Sequence, residues 1–170
     1  MFKGFYPDEY VDSTYEIDFR QLYKEGYRGI LFDIDNTLVP HGARADKKAI
    51  QFFEKIKKMG FSCCLISNNK LKRVKMFNDD VQVKFIEDAK KPSTKNYRKA
   101  MKLIGTNLEN TIFIGDQLFT DIYGAKRTGL RTVLVRPINP KEEIQIVLKR
   151  YLEKIVLYFY KKEIRKNEKN

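Results

Sequence analysis

The chain of 170 residues has no tryptophan, one histidine and only two cysteines. Cys63 and Cys64 are adjacent, so they lack the C-x-x-C spacing of redox motifs, and we expect two small buried residues in a reducing compartment. The longest uninterrupted apolar run, Ile155 to Tyr160, is far too short to span a bilayer. The N-terminus is too polar for a signal peptide. These absences favour a cytoplasmic protein.

The length and composition are those of one ordinary globular domain. An apolar share of 42% is enough for a hydrophobic core. Basic residues outnumber acidic ones, 34 against 22, which gives a net charge of +12. This charge favours anionic partners, namely phosphorylated metabolites, nucleic acid or an anionic membrane surface, but does not select among them.

Short apolar runs alternate with helical patterns along the chain. The predicted strands are Gly29–Ile34, Ser62–Ile66, Val83–Ile86, Thr111–Ile114 and Arg131–Val135. The predicted helices are Asp46–Met59, Lys70–Asn78, Ser93–Ile104 and Thr120–Thr128. This alternation predicts an α/β fold with a parallel sheet covered by helices on both faces. It also divides the chain into an N-terminal appendage (1–28), a core (29–140) and a C-terminal helix (141–170).

Polar side chains follow four of the predicted strands at the point where each strand ends. They are Asp33 and Asp35 after the first strand, Ser67, Asn68 and Asn69 after the second, Lys90 and Lys91 after the third, and Asp116 and Asp121 after the fourth. The carboxyl ends of parallel strands meet at one edge of a sheet, where such folds bind ligands. These carboxylates, together with a hydroxyl and an ammonium at one edge, predict phosphoryl transfer.

The carboxylates divide into distinct expected roles. Asp33 would attack phosphorus and form an aspartyl-phosphate, and because two anions repel, Mg²⁺ would lie between them. Asp33 and Asp116 would hold the ion with the main-chain carbonyl of Asp35, while Asp121 would orient the metal or its waters. The Asp35 side chain would protonate the leaving oxygen and then deprotonate the attacking water.

The remaining polar residues would bind the phosphoryl group. Ser67 would donate a hydrogen bond to it, Lys91 would offset its charge, and Asn36 and Asn68 are further candidates for substrate binding. Alternatives stay open, since Ser67 could cap a helix and Asp121 could begin one. His41 lies near this loop as a solvated residue or a substrate contact.

Four motifs in this order, D-x-D-N-T-L, S-N, K-P and G-D-x-x-x-x-D, resemble the haloacid dehalogenase (HAD) superfamily of phosphatases. The K-P match favours Lys91 over Lys90 as the phosphate partner. The opening Y-P-D-E-Y-V at 6–11 and A-K-K-P at 89–92 narrow the resemblance to the YqeG family, the HAD IIIA-type phosphatases. The resemblance implies a three-layer fold with a five-strand parallel sheet and the catalytic strand in its middle. It also implies relatives that dephosphorylate phosphatidylglycerophosphate. Residues 40–43 depart from the family pattern at the loop over the active site.

Two features bear on the substrate. The stretches 36–61 and 70–90 are too short to hold a cap domain, since stable domains rarely fall below ~40 residues, so we expect an open active site. The C-terminal residues predict a basic amphipathic helix that either lies in a membrane interface or docks on the core or on a dimer partner. Its expected apolar stripe is Ile144, Val147, Leu148, Tyr151, Leu152, Ile155 and Phe159.

The sequence thus predicts a cytoplasmic, Mg²⁺-dependent phosphomonoester hydrolase that contacts an anionic phospholipid at the inner membrane face. The family resemblance implies phosphatidylglycerophosphate as the expected substrate, which would give phosphatidylglycerol. The alternatives are a phosphatase acting on a phosphoprotein or a nucleic-acid end, and a non-catalytic protein that binds RNA or the ribosome. Nucleic acid is the less favoured partner, and the sequence makes no prediction of oligomeric state.

Overall fold

The structure, a computed structural model, describes residues 2–139 and 144–168, with only the helical backbone given at 144–148. The strands within these ranges are β1 (Glu9–Val11), β2 (Gly29–Phe32), β3 (Ser62–Ile66), β4 (Lys84–Ile86), β5 (Thr111–Gly115) and β6 (Arg131–Val135). The α-helices are α1 (Phe19–Lys24), α2 (Lys47–Lys58), α3 (Leu71–Val81), α4 (Thr94–Ile104), α5 (Tyr123–Thr128) and α6 (Ile144–Asn167). The alternation expected from the sequence is confirmed.

The six strands form one parallel sheet in the order β1-β6-β5-β2-β3-β4. Strand β2 therefore lies between β5 and β3, with Phe32 beside Ile114 and Leu65. The expected parallel sheet and the interior position of β2 are confirmed. The expected number of five strands is wrong, because β1, from the segment assigned to an N-terminal appendage, adds a sixth strand beside β6.

Contacts distant in sequence hold β1 on the sheet. The carboxylate of Asp8 accepts hydrogen bonds from the N–H and the hydroxyl of Thr132, both at 2.8 Å, although the two residues are 124 positions apart. The Asp8 N–H donates to the carbonyl of Thr132 at 3.2 Å. Lys126 adds an ion pair at 2.9 Å. A three-residue strand fixed in this way has no alternating pattern that a sequence window could detect.

Side chains of β2 alternate between two hydrophobic cores. Ile30 and Phe32 pack with α1, α2 and α3 on one face, while Leu31 packs with α4 and α5 on the other. Helix α2 begins where the Asp46 carboxylate accepts a hydrogen bond from the Ala49 N–H at 2.8 Å. Cys63 and Cys64 are buried free thiols, one in each core, so the expectation of buried cysteines is confirmed. Burial of both faces of β2 makes its carboxyl end a rigid base for the residues that follow.

Helix α6 packs on the core through a face that differs from the expected stripe. Its buried side chains are Glu153, Val156 and Tyr160, and Tyr160 contacts the ring of Tyr6. The exposed large apolar side chains on this helix are Tyr151, Leu152, Ile155, Tyr158, Phe159 and Ile164. The side chains of Ile144, Val147 and Leu148, which complete the expected stripe, lie outside the described residues. Among residues 2–139 and 144–168, each helix is too short or too polar to cross a bilayer.

Replacing Asp8 by Asn tests the attachment of β1. The substitution should lower the free energy of unfolding at pH 7 by about 1 kcal/mol, since the partly exposed carboxylate loses charged hydrogen bonds that solvent already screens. Partial burial raises the pKa of Asp8, but bonding to Lys126 and Thr132 outweighs this effect and lowers the pKa. The stabilisation by the Asp8 carboxylate is therefore fully present above the pKa that Asp8 has in the unfolded chain. It is lost as pH falls through the folded-state pKa. Urea unfolding at pH 7 and pH 3 measures it, and an equal deficit at both pH values would contradict the assignment.

Candidate active site

The carboxyl ends of β2, β3 and β5 bring the predicted polar residues together. Asp33 directly follows β2, and its N–H continues the ladder by donating to the carbonyl of Ile114 at 3.0 Å. Ser67 follows β3 and Asp116 follows β5, and all three residues are buried. Buried charges require partners or a bound cation, so the contacts of each side chain indicate what the site can hold.

Lys91 joins two of the carboxylates. Its Nζ lies 2.6 Å from Oδ1 of Asp33 and 2.6 Å from Oδ1 of Asp121, and the side chain is only 3% exposed. Asn68 fixes the main chain of Lys91, accepting from its N–H at 2.7 Å and donating to its carbonyl at 3.2 Å. Lys90 instead pairs with Asp88 at the surface. The structure therefore places Lys91, and not Lys90, inside the site.

Three aspartates form a cluster that could hold a metal ion. Asp33, Asp116 and Asp121 each offer one oxygen, and these oxygens lie within 4.8 Å of one another. The hydroxyl of Thr37 lies 3.3 Å from Oδ2 of Asp33 and 3.2 Å from Oδ1 of Asp116. The three buried carboxylates outnumber the two basic side chains that contact them, Lys91 and Arg150. An all-oxygen set suits a hard divalent cation such as Mg²⁺. The residues present fit such an ion.

The protonation of these groups reflects their burial and mutual repulsion. Burial is the main cause that raises the pKa of Asp33 from 3.8 to about 7. The attraction of Lys91 opposes this rise, and repulsion from Asp121 adds to it. Burial and then repulsion from Asp33 and Asp121 raise the pKa of Asp116 well above its usual range. Although burial disfavours the ammonium, Asp121 and Asp33 raise the pKa of Lys91 above its ordinary value. Cation binding should therefore release protons from the carboxyls.

The position of Asp121 depends on a close approach to the end of β5. A Cβ on Gly115 would lie 2.7 Å from Oδ2 of Asp121, so only glycine fits there. The same Oδ2 accepts from the N–H of Gln117 at 3.1 Å, and the hydroxyl of Tyr97 lies 3.1 Å from the main-chain carbonyl of Asp121. A π-helical turn, Leu118–Ile122, carries the residue. Asp121 thus belongs to the carboxylate cluster itself.

The side chain of Asp35 has a separate set of partners. Its carboxylate accepts hydrogen bonds from the N–H of Gly42 at 2.7 Å, the amide of Asn69 at 2.8 Å and the guanidinium of Arg73 at 2.8 Å. His41 Nδ1 is 3.9 Å away and half exposed. The Asp35 carboxylate lies outside the three-aspartate cluster. The group of Asp35 that we expected to bind the metal is its main-chain carbonyl and not this carboxylate.

Ser67 and Asn36 have defined local contacts. Ser67 Oγ accepts from the N–H of Asn69 at 3.1 Å, whereas the N-cap residue of α3 is Lys70, so Ser67 is not the helix cap. The side chain of Asn36 accepts from the N–H of Asn139 at 3.2 Å, and its carbonyl accepts from the N–H of Ile138 at 3.1 Å. These described contacts of Asn36 fix the chain that follows β6.

Residues from α6 reach the site, which the sequence did not predict. Arg150 donates to the main-chain carbonyl of Asp116 at 2.6 Å and forms an ion pair with Oδ2 of the same residue. Glu153 accepts from Arg150 at 3.0 Å and from the N–H of Leu118 at 2.8 Å. No local motif marks these two residues, because their partners lie more than thirty positions earlier in the chain.

Comparison with known proteins shows that the chain is similar to HAD-like phosphatases. A family model described as HAD-hydrolase-like matches residues 89–138. Probable phosphatase YqeG of Bacillus subtilis is 34% identical over 162 residues, which covers 95% of this chain and 94% of that protein. Phosphatidylglycerophosphate phosphatase 1 of Arabidopsis thaliana, chloroplastic/mitochondrial, is 29% identical over 174 residues. That match covers 96% of this chain and 49% of the relative, so the chain spans about half of the plant protein.

Solved structures share the fold. A Streptomyces avermitilis protein assigned to the HAD family of hydrolases superimposes with a TM-score of 0.54 at 12% identity, covering 66% of this chain and 83% of that one. A Vibrio cholerae protein assigned as a 3-deoxy-D-manno-octulosonate 8-phosphate phosphatase gives 0.54 at 14% identity, covering 72% and 75%. At these identities the likeness concerns the fold alone.

Replacing Asp33 by Asn tests the raised pKa of this carboxyl, which is due mainly to burial. Because folding raises the pKa of Asp33 from 3.8 to about 7, the folded protein binds more protons than the unfolded chain between these pH values. Its stability should therefore fall as pH rises through this window. Asn cannot ionise, so the free energy of unfolding of metal-free D33N, measured relative to the wild type, should rise by up to about 4 kcal/mol from pH 4 to pH 8.

Urea unfolding in the presence of a chelator at pH 4 and pH 8 measures this difference. Asp79 is exposed on α3, so D79N is a matched control that should show no such growth with pH. A constant difference between D33N and the wild type at both pH values would contradict the raised pKa.

Proposed function

The chain belongs to the YqeG family of HAD-like phosphatases, and on this premise we propose a Mg²⁺-dependent phosphomonoester hydrolase that works through an aspartyl-phosphate on Asp33. The observation that carries the proposal is the buried carboxylate of Asp33, held 2.6 Å from Lys91 and beside two further carboxylates. Membership of a phosphatase family argues against the alternative of a non-catalytic RNA- or ribosome-binding protein.

Asp33 is the proposed nucleophile. One of its carboxylate oxygens forms a bond to phosphorus while the bond from phosphorus to the ester oxygen breaks, so the phosphoryl group passes to the side chain. Lys91 and Thr37 hold the carboxylate in place by its two oxygens. A bound Mg²⁺, held by Asp33, Asp116, Asp121 and the carbonyl of Asp35, would reduce the repulsion between the carboxylate and the phosphate.

Asp35 is the proposed proton carrier. Its protonated form gives a proton to the departing ester oxygen, and the resulting carboxylate then takes one from the water that attacks the aspartyl-phosphate. The N–H of Gly42, the amide of Asn69 and the guanidinium of Arg73 orient the carboxylate for this exchange. Arg73 is 14% exposed and has a buried Nη1 without a described partner, so this guanidinium has one further donor to offer a phosphate oxygen.

The phosphoryl oxygens are bound at the end of β3. The Ser67 hydroxyl accepts from the N–H of Asn69, so its own proton can be donated to a phosphoryl oxygen. Asn68 acts by holding the main chain of Lys91, which places the ammonium at the site. Lys91 then offsets the charge that builds on the transferring group.

Single substitutions of the two motif aspartates should have different effects. D33N should abolish turnover, because no oxygen of sufficient nucleophilicity remains, whereas D35N should slow hydrolysis of the intermediate and let phosphoenzyme accumulate. Rapid quench followed by mass spectrometry of the intact protein detects the added phosphoryl group, with D79N as the matched control. Equal residual rates and no phosphoenzyme in either variant would contradict the assigned roles.

The proposed substrate is phosphatidylglycerophosphate, with phosphatidylglycerol as the product. Support comes from the relative that carries this activity in its name. The described chain between β2 and β3 forms the single α-helix α2, and that between β3 and β4 forms α3, which agrees with an active site open to a large substrate. A phosphoprotein and a nucleic-acid end are the alternative large substrates.

We propose that α6 brings the enzyme to an anionic membrane at the cytoplasmic face. Its exposed apolar side chains include Tyr151, Ile155 and Tyr158, and basic residues flank them. An apolar face bordered by positive charge is the pattern of helices that lie in a membrane interface. Since the same helix contacts Asp116, membrane contact would place the active site near lipid headgroups.

The substrate proposal is tested by comparing turnover of phosphatidylglycerophosphate in anionic vesicles with turnover of soluble compounds. These are a panel of phosphate esters, a phosphopeptide and a 5′-phosphorylated oligonucleotide. We expect the lipid to be the preferred substrate.

The variant I155S tests the membrane contact of α6. It should lower lipid turnover and vesicle flotation about tenfold, because burying one such side chain contributes about 1.5–3 kcal/mol. Its turnover of soluble esters should be unaffected. L103S on α4, which also replaces an exposed apolar residue, is the matched control. Preference for the peptide or the oligonucleotide would overturn the lipid proposal.

A further inference from the structure

Arg150 occupies one side of a carboxylate in the metal cluster. Its guanidinium forms an ion pair with Oδ2 of Asp116 and donates to the main-chain carbonyl of the same residue. The other oxygen, Oδ1, lies 3.2 Å from the Thr37 hydroxyl, which in turn lies 3.3 Å from Asp33. The two oxygens of Asp116 therefore have different environments, with Oδ1 toward Asp33 and Oδ2 toward α6.

The geometry points to Arg150 as a positioning residue that makes the site selective for Mg²⁺ over Ca²⁺. With Oδ2 held by the guanidinium, Asp116 can offer a metal only one oxygen. Mg²⁺ takes six ligands in a near-ideal octahedron, which single carboxylate oxygens supply well. Ca²⁺ takes six to eight oxygens and often binds a carboxylate through both of them. Blocking Oδ2 thus costs Ca²⁺ a ligand and leaves the coordination of Mg²⁺ intact.

Neighbouring contacts keep the guanidinium in this place. Glu153 accepts from Nη1 of Arg150 at 3.0 Å while its other oxygen accepts from the N–H of Leu118 at 2.8 Å. Arg150 is 16% exposed and Glu153 is 7% exposed, so water competes little for these bonds. The planar fork of arginine can serve the carboxylate, the carbonyl and Glu153 together, which an ammonium could not do in the same geometry.

The charge of Arg150 has a second effect that must be separated from selectivity. A positive group beside Asp116 lowers the affinity of the cluster for every divalent cation, so its removal should strengthen the binding of Mg²⁺ and Ca²⁺ alike. Only the release of Oδ2 favours the larger ion specifically. The ratio of the two dissociation constants therefore reports the positioning role, while their common shift reports the charge.

Calorimetric titration of the metal-free protein with Mg²⁺ and with Ca²⁺ is the test, using wild type, R150M and K154M. R150M should tighten Ca²⁺ binding about tenfold more than Mg²⁺ binding, a change within the range found for groups that orient metal ligands. Lys154 lies one turn further along α6 and lines, with Arg150 and Asp116, a cavity beside the site, but it does not touch Asp116 in the described contacts. K154M, which also removes one charge, should leave the ratio unchanged.

The outcomes distinguish this inference from the proposed function on which it rests. A wild type that binds neither ion would overturn the metal-dependent function itself. Binding of both ions with the same ratio in R150M as in wild type would overturn the role of Arg150 alone. Far-UV circular dichroism checks the fold of each variant. If R150M does not fold, E153Q takes its place, because it loosens Arg150 and keeps an acceptor for the Leu118 N–H, and an unchanged ratio in E153Q would then overturn the role.

Discussion

The buried ammonium of Lys91 is the interaction on which the rest of the site depends. It lies between Asp33 and Asp121, 2.6 Å from each, in a place that water hardly reaches. Without it, Arg150 on Oδ2 of Asp116 would be the one described positive side chain in contact with the three clustered carboxylates. The side-chain amide of Asn68 places this ammonium by bonding both the N–H and the carbonyl of the Lys91 main chain.

The site separates two kinds of carboxylate. Asp33, Asp116 and Asp121 form a cluster whose members repel one another, so folding stores electrostatic free energy that a cation can relieve. Asp35, only two residues from Asp33, is instead surrounded by donors from Gly42, Asn69 and Arg73. One short loop after β2 therefore carries both the carboxylate that we propose for bonding to phosphorus and metal binding and the carboxylate that we propose for proton transfer.

Much of the sheet and of the cluster follows from the sequence, because strand ends are local features with strong signals. Apolar runs predicted β2 to β6, and the acids directly after β2 and β5 lie where the topology requires. Three features could not be predicted for the same physical reason. Strand β1, the Arg73 contact with Asp35 and the Arg150 contact with Asp116 each depend on side chains distant in sequence that meet only after folding. Helix α6 adds a further case, since its exposed and buried faces were set by packing against the core rather than by its apolar pattern.

The most direct test of the account is a crystal structure of the protein grown with Mg²⁺ and beryllium fluoride, which mimics a phosphoryl group on a carboxylate. The account predicts beryllium bonded to a carboxylate oxygen of Asp33, Mg²⁺ among Asp33, Asp116 and Asp121, and the Lys91 ammonium beside a fluorine atom. A fluoride complex on another residue, with the oxygens of Asp33 unmodified, would contradict it.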